Sequence, residues 1–552
     1  MDNPYDDEKD LTDYRLTRKS AALLAALFAV ILTLPPLIGL VTTPLAQSPF
    51  RPLWTPQGDG GQPEALEKRL KKIESNIDRL DYAQAIRSHT QQILTGWLGE
   101  GSVKVFPQGN SWLFYQPELA MLTGWGPLRR PPASVMKDPS GASLPLAKHW
   151  VLEFQRQLQE RGVPLLLVPV PVKPMLYPEV LLPGAPKDQP LTHPDQAALY
   201  AELRAAGIDV LDLSADLIQL KRRFPLFLKQ DTHWTPEAMQ AAVRLTAAHI
   251  QKHYPEVARS AESSPMVDAA VLERESLGDL VELLDLAHPT ALYQPEKVLL
   301  TQITGLASDP TAPVALLGDS FVNIYDDPTL GFGLPDTSDD NPSPPLRASF
   351  TQQLAVSLHQ PLAHFARNGG GATQTRADFA RLPDDQVRSK KLVIWVIACR
   401  DLILSPRAAR DAGITWGPVT FNPKSSQPTT TAPRPDVEGS VVVEAVLTEK
   451  SPNQELGGTP YPDALHTAVY RVEKVVSGSF DPASEWVAIE WTFRGKKPLP
   501  PADFVVGQRY RLQLAPWDDH PELHGINLRN EVRSVDELFA ERWLVEDATP
   551  LP

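Results

Sequence analysis

The sequence predicts an α/β fold: a layered domain with a mostly parallel sheet, an N-terminal transmembrane anchor and helix before it, and an all-β module after it. Three observations predict this. Short uninterrupted apolar runs at 165–170, 314–317 and 392–397 read as strands buried on both faces. Amphipathic stretches at 148–161, 196–206 and 236–251 read as helices, and strand–helix alternation is the pattern of a parallel sheet. Past a Pro/Thr/Ser-rich stretch, four strand-like runs at 441–447, 467–476, 486–493 and 510–514 follow with no helical pattern between them, as in a β-sandwich or barrel.

In chain order, residues 20–50 carry no charge, and the apolar run within 20–42 is long enough to cross a bilayer. Pro35 and Pro36 would kink it, which membrane helices tolerate. Arg15, Arg18 and Lys19 precede it, so residues 1–19 are expected in the cytoplasm and the bulk of the chain in the periplasm, held to the inner membrane by a single pass. A cleaved signal peptide is the rival reading, but Pro44-Leu45-Ala46 makes a poor cleavage site. Residues 52–100 read as a spacer and a helical stalk, in which Leu66, Leu70, Ile73, Ile77 and Leu80 form a narrow seam that either packs or pairs.

The α/β domain is expected over 101–421, a linker over 422–437 and the β module over 438–552. Within the α/β domain, Gly109 to Tyr115 is an aromatic strand-like run, 208–213 a strand and 224–228 an extended segment. Thr235 caps the helix that opens at Pro236. The stretches 258–302 and 326–345 read as irregular. A length of 552 residues suggests two to four domains, and 42% hydrophobic with 22% charged residues is a globular mix. A net charge of -14 excludes a basic nucleic-acid footprint. The one cysteine, Cys399, excludes an intrachain disulfide and reads as a small buried hydrophobe.

Two stretches carry the chemistry. Gly318 breaks the apolar run ending at Leu317, and Asp319-Ser320 opens a helix, so the Ser320 hydroxyl is expected at the carboxyl edge of the sheet. Upstream, Asp231 and His233 stand at i and i+2 and share a side if the backbone is extended. A serine hydroxyl is a weak nucleophile until a base takes its proton, and imidazole suits that task when a carboxylate holds its other nitrogen. Ser320 is therefore the candidate nucleophile, His233 the general base, and Asp231 the orienting carboxylate. The oxyanion would meet the Ser320 backbone N–H and a further donor, with Asn323, Tyr325, Asn368 and Gly369 as candidates. Turn chemistry at Asp231 and an ordinary core histidine at His233 are the alternatives; a metal is disfavoured because no third ligand lies at helical or strand spacing. No cofactor is called for.

Together, Gly318-Asp319-Ser320, Asp231-Thr232-His233-Trp234 and Asn110-Ser111-Trp112-Leu113-Phe114-Tyr115 resemble the alginate O-acetyltransferase AlgX/AlgJ family, which is SGNH-hydrolase-like and places its Asp-x-His element before its Gly-Asp-Ser element. Pro171-Val172-Lys173, Tyr177-Pro178-Glu179, Gly278-Asp279-Leu280, and Trp395 followed by Arg400 extend the resemblance, which covers 103–404. The chain departs from it at Asn110-Ser111, where the family has a Gly-Asp-Trp-Leu-Phe-like strand, and at Ala398-Cys399 before Arg400, where a Pro-Glu-Arg is expected. The resemblance implies the triad just named, with Arg400 as a further candidate at the site. It also implies transfer of an acetyl group to hydroxyls of an exopolysaccharide in the periplasm, with a membrane-bound O-acyltransferase supplying the acetyl group. Two other readings keep the same residues: an acetyl-esterase, in which water resolves the acyl-serine, and a non-catalytic polysaccharide-binding or assembly protein whose β module binds through Trp486, Trp491 or Trp517.

Overall fold

The computed structural model describes residues 80–128, 146–258, 268–304, 308–333, 345–422, 441–454, 459, 461–482, 486–520, 523, 526–530, 532, 535 and 540–551, with isolated positions before residue 80. The chain divides into two compact units, Met1–Thr90 and Gln91–Pro552. In the first, the described positions 66, 69, 70, 73, 74 and 77 are helical, with Ile73 buried and Leu66 and Leu70 exposed. The expected anchor at 20–42, the tail before it and nearly all of the expected linker lie outside the described residues. Among the described residues no helix is long and apolar enough to cross a membrane.

The second unit begins in the helical segment that ends at Leu98 and continues into an antiparallel hairpin of β1 (Val105–Gln108) and β2 (Trp112–Tyr115). Asn110 and Ser111 turn it with φ of 60° and 62°, a left-handed conformation that Asn tolerates better than most residues. After the helix Ala147–Gln159 come β3 (Leu165–Val170) and β4 (Asp209–Val210). The 208–213 strand is thus shortened to two residues, because Asp212 accepts the Ser214 backbone N–H and turns the chain into the helix Ser214–Leu220. The stretch expected to be irregular contains a long antiparallel hairpin, β5 (Asp268–Ser276) with β6 (Glu296–Thr304). Then follow β7 (Val314–Gly318), β8 (Ala363–Ala366) and β9 (Leu392–Ala398).

Five of these strands form one parallel sheet in the order β4-β3-β9-β7-β8. The chain builds outward from β3 to β4 on one side and from β7 to β8 on the other, and β9 returns to the middle. Alternate residues of the central strands enter separate cores. Leu166, Val168, Leu316, Ile394 and Val396 face the helix Pro236–His253, while Leu165, Leu167, Leu317, Val393 and Trp395 face the helix Ala147–Gln159. Strands covered on both faces have no polar side to show, which is why their sequences run unbroken.

The C-terminal module is a barrel. Its strands are β10 (Val441–Lys450), β11 (Ala464–Ser477), β12 (Trp486–Arg494), the two-residue β13 (Lys497–Pro498), β14 (Arg509–Pro516), β15 (Asn527–Arg529) and β16 (Glu541–Pro550). The pairings run β10-β11-β12-β16-β14 and return to β10, so the five long strands close on themselves. The β12–β16 pair is parallel and the other four are antiparallel, the strand order of an OB-type Greek-key barrel. Three register shifts between β10 and β11 supply the curvature that closure needs. Trp486 and Trp517 are buried in the module and Trp491 is half-buried.

Candidate active site

Ser320 stands where β7 ends and the one-turn helix Ser320–Asn323 begins. Asp319 caps that turn by accepting the Phe321 N–H at 2.9 Å, and its other oxygen accepts from the Ala398 N–H at 3.3 Å. Asp231 and His233 lie in the loop between the helices Ser214–Leu220 and Pro236–His253, whose only strand-like feature is the bridge between Phe227 and Trp234. Two devices hold the loop against the serine. The Trp234 indole N–H donates to the Phe321 carbonyl at 3.1 Å, and the Tyr325 hydroxyl donates to the Trp234 carbonyl at 2.7 Å. From below, the buried Lys173 ammonium donates to the carbonyls of Leu113 and Lys229, tying the loop to β2; burial lowers its pKa to about 8.

The three predicted groups meet. The Ser320 Oγ lies 2.8 Å from His233 Nε2, and His233 Nδ1 lies 2.6 Å from Asp231 Oδ1. All three residues are buried. Asp231 is surrounded by donors: Oδ1 also accepts the His233 backbone N–H at 2.9 Å, and Oδ2 accepts the Asp279 N–H at 3.0 Å. With Nδ1 donating to Asp231, Nε2 is left to accept the serine proton. Burial pulls the imidazole pKa down, but the Asp231 and Asp279 carboxylates outweigh it and leave it above the ordinary value. Burial pushes the Asp231 carboxyl up, and the adjoining imidazole with its hydrogen bonds reverses that, leaving it below the usual range.

Asp279 is a second carboxylate whose place here sequence spacing did not reveal. It accepts from the Thr232 backbone N–H at 2.7 Å and from the Thr232 hydroxyl at 2.5 Å. Burial first, and then the neighbouring Asp231, push its pKa up to about 6. The signal available in the sequence was Gly278-Asp279-Leu280, and Gly278 is needed there. Its φ is +87°, and a Cβ would come within 2.4 Å of the Gln230 carbonyl oxygen. Asp231, His233 and Asp279 also offer ligand atoms within 4.8 Å of one another, so the third ligand missing from the sequence spacing is present in space. Five hydrogen bonds already occupy the two carboxylates' oxygens, and a cation would have to displace some of them.

A cavity of about 50 Å³ opens beside Ser320, lined by Tyr115, Thr232, Asp279, Asp319, Gly369 and Arg400 among others. Of the five further candidates, it therefore takes in Gly369 and Arg400. Arg400 donates to Glu118 at 2.9 Å and lies over the Tyr115 and Phe321 rings at 5.5 and 5.6 Å. Burial raises the Glu118 pKa to about 7. The other three candidates do not line this cavity. Asn323 donates to Asn368 at 3.0 Å, and Asn368 donates to Asp327 at 2.7 Å, a chain of side-chain amides that is already occupied. Tyr325 is fully buried and acts as the anchor of the histidine loop, not as an oxyanion donor. The last wall of the cavity comes from the barrel: Gln454, Thr459, Tyr461 and Asn527.

Residues 109–399, just over half of the chain, match the family model described as "SGNH hydrolase-like domain, acetyltransferase AlgX". The chain belongs to the AlgX family. Among curated proteins, it is similar to the "Probable alginate O-acetylase AlgJ" of Pseudomonas aeruginosa, 30% identical over 269 residues, which is 47% of this chain and 64% of that protein. The protein of the same name from Pseudomonas syringae pv. tomato is 28% identical over 242 residues, 43% of this chain and 57% of that protein. The chain thus spans under two thirds of the length of these curated relatives. Among solved structures, the "O-Acetyltransferase Domain of Pseudomonas putida AlgJ" is 21% identical, with 54% of this chain and 91% of that chain covered at a TM-score of 0.38. Pseudomonas aeruginosa AlgX is 16% identical, with 63% and 77% covered at a TM-score of 0.37.

Proposed function

We propose that this member of the AlgX family is a periplasmic O-acetyltransferase that takes an acetyl group onto Ser320 and passes it to a hydroxyl of an alginate-like exopolysaccharide. The observation that carries the reading is the run of contacts from Ser320 Oγ to His233 Nε2 at 2.8 Å and from His233 Nδ1 to Asp231 at 2.6 Å, in a family whose curated relatives are named alginate O-acetylases. In the first half, Oγ attacks the acetyl carbonyl of the donor. His233 takes the serine proton and returns it to the leaving group as that bond breaks. In the second half, a sugar hydroxyl attacks the acetyl-serine, His233 takes its proton, and Oγ leaves and receives it. Arg400, beside the cavity, is a cation available to the charge that develops at the acetyl carbonyl.

Room for the polymer is offered by a cavity of about 850 Å³ between the α/β domain and the barrel, lined by Asn323, Asp327, Arg367, Trp491, Arg494 and Arg542 among others. Guanidinium groups suit the carboxylates of a uronate polymer, and an aromatic ring suits its sugar faces. The expected anchor at 20–42 fits a donor that must arrive through the membrane, from a membrane-bound O-acyltransferase partner. The test is intact mass of the detergent-purified full chain after incubation with 4-nitrophenyl acetate, followed by alginate oligosaccharides. One acetyl group on Ser320 that moves to the oligosaccharide is the expected result. Loss of the acetyl group to water alone would make the protein an esterase, and no adduct on Ser320 would remove the enzymatic reading.

A further inference from the structure

The most unexpected contact at the site is made from outside the α/β domain. Tyr461, in the loop between barrel strands β10 and β11, donates its hydroxyl to Ser320 Oγ at 3.2 Å. The approach is allowed by Gly369, where a Cβ would stand 2.6 Å from both the Tyr461 ring and the Asn527 amide. Asn527 opens β15, in the connection between β14 and β16, so two barrel loops descend on the same rim. In OB-type barrels these two connections are the ligand-facing ones. Tyr461 also lines a small cavity beside His233 that shares Thr329 with the large cavity, so it stands between the nucleophile and the space suited to an acceptor.

We propose that Tyr461 is a catalytic residue supplied by the barrel: its O–H stabilises negative charge on Ser320 Oγ whenever that oxygen attacks or leaves. This rests on the proposed acetyl transfer at Ser320. In the resting site, Oγ donates its proton to His233 and accepts the Tyr461 O–H. As Oγ attacks the donor, its proton passes to His233, and electron density gathers on Oγ before the new C–O bond is complete. As Oγ departs in the second half, the C–O bond breaks and charge gathers there again until His233 returns the proton. Tyr461 keeps its own proton throughout. Burial holds its hydroxyl well above the ordinary tyrosine range, so it remains a donor at any working pH. Hydrogen bonds to charged groups are worth more than neutral ones, so the contact strengthens in the transition state relative to the ground state.

The experiment compares the full chain with Tyr461→Phe, Tyr461→Ala and Ser320→Ala. Rates are taken per serine titrated to completion with a sulfonyl fluoride, so that a misfolded fraction does not count. Y461F keeps the ring against Gly369 and loses only the hydroxyl. It should lower kcat for acetylation by 4-nitrophenyl acetate on the order of ten- to a hundredfold while leaving KM within about twofold. Y461A should fall at least as far. A Y461F rate within about twofold of the parent overturns the proposal, as does a rise in KM with kcat unchanged, which is the signature of a wall residue. If Ser320→Ala is still acetylated at the parent rate, it is the Ser320 reading that fails, a result distinguishable from either Tyr461 outcome.

Discussion

Replacing Asp231 with Asn tests the proton relay most sharply, because three N–H donors and no acceptor surround this carboxylate. An asparagine amide can satisfy only part of that set. With its oxygen toward His233, the NH2 group faces the Asp279 N–H. With its NH2 toward His233, it meets the backbone N–H of residue 233 and drives the imidazole into the tautomer that protonates Nε2, which then cannot accept from Ser320. Each arrangement carries one donor–donor conflict, costing about 1–3 kcal/mol, so neither tautomer is firmly held. The second loss is electrostatic. A unit charge 2.6 Å from the imidazolium is worth about 6 kcal/mol at an effective dielectric constant of about 20. Charge transfer is incomplete at the transition state and the amide dipole recovers a share, which leaves roughly 3–5 kcal/mol, or about 10²- to 10⁴-fold in rate. The assay is the first-order rate of Ser320 acetylation by 4-nitrophenyl acetate, with melting followed in parallel. A D231N chain that melts with the parent and acetylates within about threefold of it refutes the assignment of Asp231.

Two further outcomes are expected. The acid limb of kcat/KM for acetylation should lie above the ordinary imidazole value, because His233 must be neutral and its neighbouring carboxylates hold it protonated to higher pH; Asp279→Asn removes one of those negative charges and should move the limb to lower pH, and an upward move would contradict the placement of Asp279. Gly278→Ala puts a Cβ about 2.4 Å from the Gln230 carbonyl at a positive φ, so it should cost about 2–4 kcal/mol in chemical denaturation and also slow acetylation, since Gln230 adjoins Asp231; an unchanged denaturation midpoint would contradict it.

What the sequence revealed follows the kind of burial each element has. β3, β7 and β9 were legible because both faces are covered and every residue is apolar or small. The β5–β6 hairpin reads as irregular because β5 is exposed along most of its length and apolar residues also stand on the exposed side, Val271 in β5 and Leu299 between the buried Val298 and Leu300 in β6, which blurs the alternation in sequence. The last barrel strand, β16, is charged at many positions and gave no strand signal, yet it closes the barrel through β12 and β14. At the site, Ser320, His233 and Asp231 were found because local chemistry marks them: a strand-to-helix turn and an Asp-x-His pair. Of the oxyanion candidates close to Ser320 in the chain, Tyr325 is fully buried and its hydroxyl donates to the Trp234 carbonyl, bracing the histidine loop, while Asn323 pairs with Asn368 at the edge of the large cavity. Tyr461 had no local mark. It lies 141 residues from Ser320 in a Pro- and Gly-rich loop, and only closure of the barrel brings it back.

That difference bears on how the site divides its work. The groups that hold the histidine loop belong to the α/β domain: Trp234 on Phe321, Tyr325 on Trp234, Lys173 on the loop carbonyls, and Asp279 on Asp231. These contacts are buried and hydrogen-bonded, so the relay has little freedom to adapt to different acceptors. The cavity beside Ser320 is walled in part by the barrel, through Gln454, Thr459 and Tyr461 in the β10–β11 connection and Asn527 at the start of β15. Loops tolerate substitution where a packed parallel sheet does not. Under the proposed function, choice of acceptor is therefore expected to vary with the barrel loops, while the proposed transfer through Ser320 depends on groups held by the sheet. Tyr461, touching both, is the point where a change in acceptor choice would also change the rate.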